Sequence, residues 1–294
     1  MKDKTRIFYS PAYTSMLHAF DTTRKAAMLA DYLTHQHSDE IAIVEPDMLT
    51  RDQLLTCHDE AYVDAVATGQ PVPLAQSNGF QWCPNVFNAT RASNGGVLAA
   101  AITATRYGVS GSLSSGLHHA HAEHGSGFCT FNGLAIAAKH ITRHYDARVL
   151  IVDYDAHFGD GTHALIEGDD AIEMIDLSSS DFFTNRTNGH GFQYLRRCCE
   201  LLSDVDVTRF DLVLYNAGMD PYEGCRIGGL KGVTFDCLAE RDRFVFTQCA
   251  KNSTPVAFCL AGGYSGEQFT PDQLTVAHAT TCLLAHDART QYWS

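Results

Sequence analysis

The stretch "VLIVDYDAHFGDG" (residues 149–161) opens on four aliphatic residues, Val149 to Val152, and closes on acids, one histidine and glycines. An apolar run without alternation reads as a strand buried on both faces, the mark of a parallel sheet covered by helices. If the extended chain continues, its period of two sends Asp153, Asp155 and His157 to one side. Two carboxylates and an imidazole converging at a strand tip make a metal site suited to zinc or iron(II). The plainer alternative makes Asp153 a helix cap and His157 a loop residue. The glycines at 159 and 161 and the further Asp160 favour the site.

The same grammar repeats along the chain. "RIFYS", "IAIVEP", "GVSGSLSSG", "IEMIDLS", "FDLVLYNAG" and "PVAFCLAGG" read as further short strands, and "AFDTTRKAAMLADYLTHQ", "PNVFNATRASNGGVLAAAITATRYG" and "FNGLAIAAKHITRHY" as helices between them. No Pro/Gly/Ser-rich linker or internal repeat interrupts residues 1–294. The expectation is one α/β domain with a mostly parallel sheet of about eight strands and helices on both faces. Ligands in such sheets bind beyond the carboxyl ends of the strands. There, "FDLVLYNAGMD" delivers Asp220, which with Asp155 and His157 makes an Asp-His-Asp set and leaves room for water, and "PVAFCLAGGYS" delivers Tyr264 after a Gly-Gly turn. As isolated residues, Asp220 would be a loop acid and Tyr264 a packed aromatic.

The segment "SGLHHAHAEHGSGFC" (residues 115–129) supplies imidazoles. Adjacent side chains on an extended chain diverge, so His118 and His119 read as two separately oriented bases rather than a chelate. Each needs a carboxylate to fix its tautomer, and Asp153 and Asp160 are available. His121 and His124 read as solvated loop residues.

Composition bounds the partners. A net charge of −13 argues against a nucleic-acid binder but suits a cationic substrate such as a lysine side chain or a polyamine. The start "MKDKTRIFYSPAY" lacks an apolar signal core, and no apolar run approaches membrane-spanning length. The ten cysteines are spread singly apart from Cys198–Cys199 and form no CxxC, which reads as free thiols and a cytoplasmic setting.

Five segments taken in order resemble the histone deacetylase family of the arginase/deacetylase fold: "LLTCHDEAYVDAV", "GLHHAHAEHGSGFCTFNGLAIAA", "DYDAHFGDGT", "DLVLYNAGMDPYEGCRIGGL" and "AGGYS". "LHAFDTTR", Phe158 and Asp176 in "EMIDLS" are similar to class IV-like bacterial members. The resemblance implies a zinc-dependent amidohydrolase that removes acetyl or other acyl groups from lysine side chains. It implies Asp155, His157 and Asp220 as zinc ligands, and His118 and His119 as the catalytic pair backed by Asp153 and Asp160. Tyr264 would be the oxyanion donor, Gly127 and Phe128 a wall of the acyl tunnel, and Phe183 of "SSSDFFTN" the opposite wall. A structural potassium near Asp153, Asp155 and His157, with Asp176 and Leu177 contributing, is also implied. In "FQWCPNVF" Trp82 stands where class I members carry an acid that holds the substrate backbone, and the short rim loops suggest a shallow site. Alternatives are an acetylpolyamine-type small-molecule amidohydrolase, a binuclear arginase-like hydrolase and a non-catalytic acyl-lysine binding protein. Oligomeric state is not encoded in any of these features.

Overall fold

The computed structural model describes residues 4–16, 21–179 and 191–293. Seven strands form one sheet: β1 (Thr5–Phe8), β2 (Ile41–Val44), β3 (Val109–Ser112), β4 (Val149–Asp153), β5 (Ile172–Asp176), β6 (Leu212–Gly218) and β7 (Val256–Ala261). They lie in the order β2-β1-β3-β7-β6-β4-β5, every pair parallel. Each apolar run quoted above holds one strand. The expected mostly parallel sheet of about eight strands is borne out, with seven strands among the described residues.

Parallel neighbours require crossovers, and the helices that make them cover both faces. Alternation along the central strands divides the interior. Leu150, Val152, Val213, Tyr215, Phe258 and Leu260 join one core, which also takes buried residues of the helices Asp21–Gln36, Gly191–Ser203, Phe235–Lys251 and Pro271–Tyr292. Val149, Ile151, Leu212, Leu214, Ala257 and Cys259 join the other, with residues of Val86–Tyr107 and Gly133–Tyr145. Each aliphatic side chain so withdrawn from water contributes about 1.5–3 kcal/mol. This burial on both faces is why the strand sequences do not alternate polar with apolar.

The register sets the site. Asp153 at the end of β4 lies level with Asp176 of β5 and Asn216 of β6, and Gly218 of β6 lies level with Ala261 of β7. The segments that leave β4, β6 and β7 therefore emerge side by side. All ten cysteines are free thiols, Cys198 and Cys199 included, as expected. Phe183 and the rest of "SDFFTN" lie outside the described residues, as do His18 and Phe20. Among the described residues, no helix is long and apolar enough to cross a membrane.

Candidate active site

Strand β4 stops at Asp153, so the pleat does not carry three side chains to one face. The chain turns instead: Asp155 accepts the backbone N–H of His157 at 2.9 Å, and Asp153 accepts that of Asp155 at 3.1 Å. The turn aims His157 back between two carboxylates, its Nδ1 lying 2.9 Å from Asp155 Oδ1 and 3.0 Å from Asp220 Oδ2. One ligand atom from each of Asp155, His157 and Asp220 falls within 4.8 Å of the others. Asp153 is excluded from this set, a correction to the simple period-two expectation.

Burial pushes the Asp220 carboxyl up to about 6, with the Asp155 charge adding to it. Hydrogen bonds to Asp155 and Asp220 hold His157 up at about 10. Two buried carboxylates side by side demand positive charge between them. A proton on His157 meets that need in part; a divalent cation with nitrogen and oxygen ligands meets it fully. The backbone is shaped around the site: Gly262 has φ +58°, and a Cβ there would sit 1.6 Å from Asp220 Oδ1, so a larger residue would displace the carboxylate. Gly263 donates its N–H to the same oxygen.

The two adjacent histidines diverge as expected, and each finds its own acid. His118 Nδ1 lies 2.8 Å from Asp153 Oδ2, and His119 Nδ1 lies 2.7 Å from Asp160 Oδ1. A carboxylate accepts, so Nδ1 donates in both pairs and each Nε2 is left toward the cavity. The ring centroids stand 4.1 Å apart. Burial opposes charge on His118, but Asp153, then Asp155 and Asp176, outweigh it and lift the imidazole to about 9. Asp153 already accepts from Asn216 Nδ2 at 2.9 Å, so the proton of this buried pair rests on the imidazole. His119 goes the other way: burial, then the neighbouring His118 charge, hold it below its ordinary value.

This geometry can be set beside known proteins. The histone deacetylase domain family matches residues 18–189, more than half of the chain. The chain belongs to the histone deacetylase family. Similar proteins include an uncharacterised protein of Picosynechococcus, 32% identical over 237 residues covering 76% of this chain and 79% of that one. Histone deacetylase 2 of Arabidopsis thaliana is 28% identical over 291 residues, covering 89% of this chain and 75% of that protein. The structure of an acetylpolyamine aminohydrolase from Burkholderia pseudomallei shares the fold, with a TM-score of 0.75, 16% identity and coverage of 96% and 98%.

Within this deacetylase-family site, a cavity of roughly 110 Å³ is lined by Asp155, His157, Asp220, both histidines, Gly127, Phe128 and Tyr264. Gly127 (φ +50°) is required because a Cβ there would come within 2.5 Å of the His119 ring. Phe128 follows with φ +65°, a left-handed conformation that turns its ring onto Phe80 at 5.1 Å between centroids. Phe80 is thus a second cavity wall that the sequence reading missed. The Tyr264 hydroxyl is held protonated by burial and by the charges of Asp220 and Asp155. The cavity also takes in Tyr13, Thr90, Leu113 and Ser114, all buried, so it runs inward and is not shallow. Trp82 does not line it: its Nε1 donates to the Val66 carbonyl at 2.8 Å, and the ring packs under Gly69.

Other residues surround the site. Asp176 receives the N–H of Gly159 and of Ser178, each at 2.8 Å, and Leu177 beside it is fully buried. Lys25 is buried and donates to the Gly262 carbonyl at 2.6 Å; burial brings it down to about 8 against the pull of Asp220 and Asp155. His58 bridges the His121 carbonyl at 2.8 Å and the Asn132 N–H at 3.0 Å. Asn132 caps the helix Gly133–Tyr145 and also donates to the Ala120 carbonyl at 3.2 Å. His121 is not a solvated loop residue, because its Nε2 lies 3.3 Å from Asp160 Oδ2. A histidine two residues from His119, on a chain returning to the same acid, was the available clue.

Proposed function

We propose that this chain hydrolyses N-acyl groups on amines, with acyl-lysine side chains as the principal substrate class, using a zinc ion held by Asp155, His157 and Asp220. The observation that carries this reading is the pair of adjacent histidines with separate carboxylates beside a buried Asp-His-Asp trio. When bound, zinc supplies a Lewis acid for the carbonyl and lowers the pKa of water to about 7.

The chain's own groups do the rest. His119, neutral because burial and His118 depress it, accepts the proton of the attacking water at Nε2 and returns it to the leaving amine. His118, kept charged by Asp153, offsets the negative charge that develops beside it. Tyr264 donates its hydroxyl proton in a hydrogen bond to the oxyanion. Phe128 and Phe80, with Gly127 between Phe128 and the His119 ring, enclose the aliphatic stem of the substrate and exclude water. A potassium ion near Asp153, Asp176 and Leu177 belongs to the same proposal, supported by two buried carboxylates brought level across β4 and β5. Thermal stability that rises with potassium beyond an equal concentration of sodium is the expected sign.

The test is turnover of zinc-loaded protein on acetyl-lysine peptides and on acetylputrescine. Peptide hydrolysis abolished by Asp220→Ala, with loss of bound zinc, is expected; full zinc and turnover in that variant would refute the ligand set. Preference for acetylputrescine would move the substrate to small amines, a reading favoured by Trp82 being packed away from the cavity. Tyr264→Phe should keep zinc and slow kcat by about 10²-fold or more.

A further inference from the structure

Asp160 is unusual among the carboxylates of the site in its exposure: 43% of its side chain is open to solvent, against 0% for Asp153. An open carboxylate on a single hydrogen bond rotates freely and holds its partner loosely. Here both oxygens are engaged, Oδ1 by His119 Nδ1 at 2.7 Å and Oδ2 by His121 Nε2 at 3.3 Å. His121 is itself fixed. Its N–H donates to the His124 carbonyl at 2.9 Å, its carbonyl accepts from buried His58 at 2.8 Å, and its ring stacks on His124 with 4.6 Å between centroids. His124 is in turn 3.4 Å from Glu123.

We propose that His121 is a positioning residue for the reaction, the second anchor of a His119–Asp160–His121 bridge. Because the carboxylate accepts from both rings, His121 donates through Nε2 and His119 through Nδ1. Pinning the second oxygen fixes the plane of the carboxylate, and that plane fixes the tilt of the His119 ring and the direction of its Nε2. The bridge does for the exposed acid what Asn216 and burial do for Asp153. His58 and His124 act one step further back, by holding His121. The proposal rests on the reading of His119 as the base.

Two measurements test it. In zinc-loaded protein, His121→Ala should lower kcat about tenfold with KM and zinc content unchanged, and His121→Gln, whose amide can donate to Asp160, should recover most of the loss. In metal-free protein labelled at histidine nitrogen, the hydrogen-bonded Nδ1–H signal of His119 should broaden in His121→Ala, stay sharp in His121→Gln and vanish in Asp160→Asn. Wild-type kcat with an unchanged imidazole spectrum in His121→Ala would overturn the proposal. So would equal losses in the Ala and Gln variants, since these would assign the effect to ring packing on His124. Should wild-type protein hydrolyse no amide, the functional reading fails, while the metal-free spectra still decide the bridge.

Discussion

His118 and His119 are neighbours in sequence, each donates Nδ1 to an aspartate, and the two bonds differ by only 0.1 Å (2.8 against 2.7 Å). Their protonation nevertheless diverges, His118 rising to about 9 and His119 falling below its ordinary value. The hydrogen bond cannot be the cause, since both have it. What differs is the surroundings: His118 faces three buried acids, whereas His119 has a half-open acid and a charged imidazole next door. Two copies of one motif thereby become a fixed charge and a proton acceptor. The first proton placed makes the second unfavourable.

The strongest way to break this comparison is to remove each ring in turn. His119→Ala should cost about 10²–10⁴ in kcat, as expected for loss of a general base, and His118→Ala less. The reverse order in steady-state kinetics would exchange their roles. A finer test is Asp153→Asn. In metal-free protein His118 is charged below about 9, so its imidazole NMR signal should titrate as pH rises through about 9; without Asp153, the largest upward influence, that titration should move to lower pH. An unmoved titration would assign the charge to another partner. The smallest effect concerns His58, which holds the His121 carbonyl and the Asn132 N–H. Burial brings His58 down to about 4 in the fold, against 6.5 for an ordinary histidine. Between those values the unfolded chain binds the extra proton, so stability should fall by up to about 3 kcal/mol as pH drops from 6.5 to 4. His58→Gln should flatten that slope in chemical denaturation, whatever its stability at neutral pH.

The sequence discloses the strand ends and conceals what lies between them. Asp155, His157, Asp220 and Tyr264 were legible because each follows an apolar run long enough to be a buried strand, and such runs place their sequels at one edge. How they converge was not legible: β4 ends at Asp153, and the Asp155 turn, not the pleat, aims His157. The sheet direction and the two-sided burial followed from missing alternation. The exact strand count did not, because nothing local in the sequence excludes another short edge strand. His121, Phe80 and Lys25 were missed for a common reason. Each owes its place to a partner distant in sequence or across a turn, namely Asp160, Phe128 and the Gly262 carbonyl. Residue type alone made them an ordinary loop histidine, loop aromatic and helix lysine.

The strand order β3-β7-β6-β4 has a thermodynamic consequence. Asp155 and His157 follow β4, Asp220 follows β6, and Gly262, which cradles Asp220, follows β7, so the proposed ion-holding set exists only when the sheet is assembled. An ion bound by the folded chain alone raises its stability by mass action, about 2.7 kcal/mol at a free concentration one hundred times its Kd. Resistance to heat and proteolysis should then track the free zinc supply. Metal scarcity would act on the amount of protein that survives as well as on its turnover.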